Sequence, residues 1–125
     1  MKFYTCSGCN QVYIKLIDTE KPMMCCELET IELTPENNDE THKPIIRKIG
    51  NFVTLSLDPE SPMIEVHQIQ YMFLETNQGF QYKAIPKGSK PEAKFILNND
   101  EHIVDAYVYC NIHWLSSYQR PEEVK

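Results

Sequence analysis

The first 34 residues hold four cysteines and too few large apolar side chains to fold around. Cys6-Ser7-Gly8-Cys9 is followed, after a gap of fifteen residues, by the adjacent pair Cys25-Cys26. A Cys-x-x-Cys turn lets two thiolates converge on one ion, with Gly8 permitting the tight backbone. A second pair from a returning segment completes a tetrahedron of sulfur, which selects zinc or iron. The adjacent pair is unusual, because neighbouring residues both reach one ion only where the backbone turns sharply between them. A unit this small cannot stabilise itself by burial alone, so a metal would act as its staple. Ligand type leaves three uses open: a zinc staple with no redox role, a redox iron, or a reduced dithiol pair. Val12, Ile14 and Leu16 alternate with Tyr13, Lys15 and Ile17, predicting one short strand. Met23 and Met24, beside Cys25, read as core fillers rather than ligands.

The rest of the chain bounds the class. At 125 residues, with 42% hydrophobic and 24% charged residues, it is long enough for one ordinary core plus a small appendage. A net charge of −6 argues against nucleic acid as a partner, since phosphates require clustered Lys and Arg. No apolar run reaches the roughly 18 residues of a membrane span. Five cysteines make an odd number, which suits a disulfide framework poorly. The amino terminus carries no apolar stretch of the signal-peptide kind. The expectation is a cytoplasmic protein without a membrane segment, whose cysteines bind metal or do redox chemistry.

Pro35-Glu36-Asn37-Asn38-Asp39-Glu40 is polar, acidic and without periodicity, which fits a connector. It separates a four-cysteine unit, residues 1–35, from a second unit, residues 40–125. The second unit reads as β throughout. Val53, Leu55 and Leu57 alternate along one strand. Val66 to Thr76 forms a longer one, with Ile69, Tyr71 and Phe73 predicted on one face. Thr76-Asn77-Gln78-Gly79 is a turn signal, with Phe80 to Ile85 pairing back. Phe95-Ile96-Leu97 is short. Ile103 to Asn111 is last, with Val104, Ala106, Val108 and Cys110 on one face and Tyr107 and Tyr109 packing within or between sheets. Short strands at this spacing predict an antiparallel sandwich. No segment predicts a helix.

A second candidate cluster involves this β unit. Cys110-Asn111-Ile112-His113 closes the last predicted strand, and a thiolate and an imidazole three positions apart there can bind one ion. Alone the motif is weak, but His42 and His67 add two imidazoles of the kind that suit iron or zinc. His102 shares strand parity with Cys110, yet eight extended residues separate them by about 26 Å, which makes His102 a surface residue.

Taken together, these motifs resemble the desulfoferrodoxin family, over nearly the whole chain. Cys6, Cys9, Cys25 and Cys26 match the spacing of its desulforedoxin-like part. Glu40-Thr41-His42-Lys43-Pro44, Ser61-Pro62-Met63-Ile64-Glu65-Val66-His67 and Cys110-Asn111-Ile112-His113 match, in order, three motifs of its superoxide reductase part. The resemblance implies an immunoglobulin-like sandwich around a mononuclear iron with four equatorial histidines, an axial thiolate and an open sixth position. It implies one-electron reduction of superoxide to hydrogen peroxide there, with the four-cysteine iron as an electron-transfer accessory. By position, His42, His67 and His113 would be equatorial ligands, Cys110 the axial one, and Glu40 the glutamate beside the open position. The resemblance further implies a homodimer and an outside electron donor such as a rubredoxin-like protein.

Two positions depart from the family pattern. Ser61 stands where one histidine ligand is expected, and Thr41 where a lysine would draw in the superoxide anion. Three functions therefore compete: a two-iron superoxide reductase, a non-catalytic descendant whose second site is degenerate, and a zinc-dependent interaction module.

Overall fold

The computed structural model describes residues 2–17, 19–34, 44–57 and 69–110, and the backbone of 114–117. The expectations placed on Glu40, Thr41, His42, Ser61, His67 and His113, and on residues 35–39, 66–68 and 111, lie outside them. Every regular element among the described residues is a strand, as the residue patterns predict, and the pairings are antiparallel. Among these residues no helix is long and apolar enough to cross a membrane. The chain divides into two compact units, Met1–Thr34 and Pro35–Lys125.

In the first unit, β1 (Phe3–Thr5) lies between β2 (Val12–Ile14) and a later strand. Next come β3 (Met24–Cys25) and β4 (Leu28–Glu29), a two-stranded ribbon, and then β5 (Ile31–Leu33), which flanks β1 on its other side. Its large buried side chains are few: Phe3 and Cys6 are sealed, while Leu16, Ile17 and Met24 are 78%, 80% and 60% exposed. The predicted strand through Ile17 is thus corrected. The paired register ends at Ile14, and Leu16 and Ile17 lie exposed beyond it. Met24 is no core filler either, because a bare ribbon that turns Cys25 inward turns its neighbour to water.

The second unit is a sandwich. One sheet comprises β6 (Ile45–Ile49), β7 (Phe52–Ser56) and, paired on the other side of β7, a strand from later in the chain. The other begins with β8 (Ile69–Thr76) and β9 (Gly79–Ala84), whose turn falls at Asn77-Gln78 as predicted. Next, β10 (Glu92–Ile96) returns to β7. Finally β11 (Ile103–Cys110) and β12 (Trp114–Ser117) complete the second sheet in the order β12-β11-β8-β9. Val53, Leu55, Ala93 and Phe95 from one sheet meet Met72, Leu74, Ala106 and Val108 from the other in one buried cluster. This is the face-to-face two-sheet packing that alternation predicts.

Two bulges overturn the predicted faces. Cys110 pairs with Ile69 but Tyr109 pairs with Tyr71, which leaves Gln70 as an extra residue on β8. Ile69 therefore points inward with Met72 and Leu74, while Tyr71 and Phe73 join Tyr82 in an aromatic cluster on the opposite face, ring centroids 5.8–6.2 Å apart. Likewise Ile103 pairs with Thr76 and Asp105 with Glu75. Val104 is the extra residue, 46% exposed, and Ile103 takes its place against the core. Strict alternation cannot register an inserted residue, so each face flips at the bulge. Tyr107 and Tyr109 are buried as expected, and the Tyr107 hydroxyl donates to Glu75 Oε1 at 2.7 Å.

Candidate metal centre

The amino-terminal thiols are brought together by two turns of different construction. After β1, Cys6 is fully buried, and its loop is closed by Asn10 N–H to Cys6 O at 2.7 Å and Cys6 N–H to Gln11 O at 3.1 Å. Gly8 N–H points at Cys6 Sγ, 3.4 Å away. Asn10 takes a left-handed φ of 63°, which asparagine tolerates better than most residues. The second turn joins β3 to β4 through Cys26 and Glu27 alone, with φ of 54° and 60°. Two consecutive positive φ values make a type I′ hairpin. Its hand of twist is what turns the chain sharply enough for adjacent cysteines to face one point.

The four sulfurs lie within 4.8 Å of one another. Cys9 Sγ is 3.6 Å from Cys25 Sγ, and Cys25 Sγ is 4.0 Å from Cys26 Sγ. Metal–sulfur bonds of about 2.3 Å in a tetrahedron separate sulfurs by about 3.8 Å. The cluster therefore fits a four-thiolate zinc or iron ion. None of the five cysteines is in a disulfide.

Glycine at position 8 has a reason the spacing did not reveal. Its φ is not left-handed. Instead, a Cβ there would meet Cys26 Cβ at 3.1 Å and Leu28 Cδ1 at 3.5 Å. The two turns pack closely enough that a side chain there would be crowded.

The thiols perturb one another. Burial pushes the Cys6 thiol up, but hydrogen bonds from Cys25 and from the backbone of Cys9 and Gly8 outweigh it and bring it down to about 7. Hydrogen bonding to Cys9, Cys6 and Cys25 pushes Cys26 up to about 12. One member of the set thus gives its proton up readily while another retains it. Metal ligation requires thiolates, so binding an ion here releases protons. Residue patterns alone missed two further participants. The Tyr13 hydroxyl donates to Cys25 Sγ at 3.1 Å and to Gln11 Oε1 at 2.7 Å. The Cys25 contact pushes Tyr13 up to about 12, so the phenol keeps its proton. Parity along β2 places Gln11 and Tyr13 on one face, but nothing in the sequence said that this face meets Cys25.

Of the second candidate cluster, the described residues include Cys110 alone. It is 1% exposed, lies in the sandwich core and ends β11, opposite Ile69 on one side and Trp114 on the other. His42, His67, His113 and Glu40 are outside the described residues. His102 is an exposed residue at the far end of β11, its N–H held by Asn77 Oδ1 at 2.6 Å, as the length of the strand required.

The sequence profile described as Desulfoferrodoxin matches residues 34–118. The chain belongs to the desulfoferrodoxin family. A desulfoferrodoxin homolog from Archaeoglobus fulgidus is 29% identical over 119 residues, which is 92% of this chain and 94% of that one. The desulfoferrodoxin of Nitratidesulfovibrio vulgaris is 31% identical over 118 residues, 90% of each chain. In fold, the chain resembles the superoxide reductase from Treponema pallidum, with a TM-score of 0.81 at 23% identity, covering 94% of this chain and 97% of that one. This desulfoferrodoxin-family chain thus combines the family's β architecture with a four-cysteine site fit for metal, which supports an iron-protein function.

Proposed function

We propose that the chain is a cytoplasmic superoxide reductase in which the sandwich carries the reactive centre and the four-cysteine cluster is an electron-transfer accessory. The observation that carries this reading is Cys110: a thiol 1% exposed at the end of β11, inside the profile-matched segment and directly before Asn111-Ile112-His113. Iron bound by His42, His67, His113 and Cys110 would supply a one-electron ferrous–ferric couple. Superoxide takes up one electron and two protons and leaves as hydrogen peroxide. A one-electron donor, such as a rubredoxin-like protein, replaces that electron. Cys110 in this role contributes the charge of a thiolate, which favours loss of a reduced oxygen product. Glu40 is assigned beside the reacting position.

A second reading has its own observation. Ser61 and Thr41 replace a ligand and a cation of the family pattern, whereas the four-thiol cluster is assembled within 4.8 Å. In that reading the protein transfers electrons or holds a metal staple through its amino-terminal unit and does not turn over superoxide. A homodimer is proposed under either reading.

Metal analysis and stopped-flow mixing separate the two. Two irons per chain, with superoxide consumed by the reduced protein faster than it dismutates unaided, is the expected result. One iron per chain with no added consumption would establish the second reading instead. Ser61→His should raise iron occupancy in the sandwich unit, and an unchanged iron count would remove the ligand assignment.

A further inference from the structure

Tyr13 presents one proton to two acceptors. Its oxygen lies 2.7 Å from Gln11 Oε1 and 3.1 Å from Cys25 Sγ, and a phenol can fully serve one of them at a time. With a metal bound, Cys25 is a thiolate and has no proton to give, so Tyr13 is the donor in that contact. We infer that Tyr13 and Gln11 form a hydroxyl switch that sets the reduction potential of the four-cysteine iron, the O–H turning to Cys25 in the ferrous state and to Gln11 in the ferric state. This rests on the reading that the cluster holds iron.

The physical cause is the charge on sulfur. Reduction adds one electron to a centre with four thiolates and takes it from a monoanion to a dianion, so the sulfurs become stronger acceptors. A hydrogen bond to an ionised acceptor strengthens with that charge, whereas the neutral amide oxygen of Gln11 is unaffected by it. Donors to ligand sulfur are one of the levers that tune such centres. The Gly8 N–H at Cys6 Sγ is fixed in the backbone and cannot turn away. The Tyr13 hydroxyl can, by rotating about one bond. No proton leaves the phenol, and the electron comes from the electrode or an external one-electron donor.

The test uses the full chain loaded with iron and a potentiometric titration of the four-cysteine centre, followed by its thiolate-to-iron absorption. Tyr13→Phe keeps the ring and removes the donor. It should lower the equilibrium constant for reduction about tenfold, which is about 59 mV for one electron, and leave the ferric thiolate-to-iron absorption in place, because the O–H faces Gln11 in that state. Gln11→Leu removes the competing acceptor and should shift the potential the opposite way. Two variants that hold iron and stay within threefold of the parent, or that move in the same direction, would overturn the switch. If Tyr13→Phe fails to fold, the sign of the Gln11→Leu shift decides alone. A parent chain that takes up zinc but no iron at this cluster sinks the underlying reading, and the switch with it; iron content therefore tells the two failures apart.

Discussion

Gly8 and Cys26 approach closely across the two cysteine-bearing turns, so that a methyl group on residue 8 would be crowded. A Cβ on residue 8 would stand 3.1 Å from Cys26 Cβ and 3.5 Å from Cys26 Sγ. The contact ties the first turn to the second independently of any ion. Gly8→Ala should therefore displace the hairpin tip by a few tenths of an ångström and loosen the sulfur tetrahedron. Overpacking of this kind is destabilising. Zinc affinity, read by competition with a chelator, should fall about tenfold or more. An unchanged affinity would mean that the hairpin yields freely.

The type I′ turn holds two side-chain-bearing residues at positive φ, where glycine is the residue at ease. A left-handed residue with a Cβ costs about 1–2 kcal/mol, and glycine's extra freedom in the unfolded chain returns about 0.5–1 kcal/mol of that. Glu27→Gly should leave a net gain of about 0.5–1 kcal/mol. The same chelator competition should show metal held about two- to fivefold more tightly. Weaker binding would show that the Glu27 side chain matters more than its backbone.

Removing the metal should affect the units unequally. Met1–Thr34 has Phe3 and Cys6 as its large sealed side chains, whereas the sandwich has a continuous cluster that includes Val53, Leu74 and Val108. After chelation under reducing conditions, amide protons across β1, β2 and β5 should exchange rapidly, while those of β7, β8 and β11 stay protected. Protection of β1 that survives chelation would show that the small unit folds without its staple.

Glu101 gives the sandwich an acid-sensitive element. The Thr76 hydroxyl donates to Glu101 Oε2 at 2.5 Å and the Asn98 N–H to Oε1 at 3.0 Å. These bonds, Thr76 first, hold the carboxyl below its ordinary value of 4.5. A carboxylate with a depressed folded value contributes stability that is present above the unfolded value and lost as pH falls through the folded one. The melting temperature of Glu101→Gln should therefore lie below that of the parent at pH 7, and the gap should close as pH falls below about 4. A gap of equal size at pH 7 and pH 3 would assign the effect to shape rather than charge.

Leu74 tests the sandwich core. It is fully buried on β8, opposite Ala106, within the cluster shared by both sheets. Leu74→Ala should destabilise the sandwich by about 2–5 kcal/mol, the usual range for a cavity of that size. Denaturation followed at Trp114 measures it. A loss under about 1 kcal/mol would mean that the sheets close over the gap.

Much of this could be read in advance where the signal is local. The Cys-x-x-Cys and Cys-Cys spacing, the Asn77-Gln78 turn and the alternation of Val53, Leu55 and Leu57 each depend on near neighbours in the chain, and each appears in the fold. Ile69 and Val104 lie on the faces opposite to those their spacing predicts. The extra residues at Gln70 and Val104 reverse the alternation, and only the partner strand's register defines a bulge.

Residue order was enough to establish the donor chemistry, the β character and the family, because ligand type, alternation and motif spacing are properties of neighbouring positions. Tertiary structure decided why glycine suits residue 8, how Cys25 and Cys26 can face one ion, and which side chain donates to a ligand sulfur. Those depend on distances between turns that are remote along the chain, set by backbone hand and packing, and no local pattern encodes them.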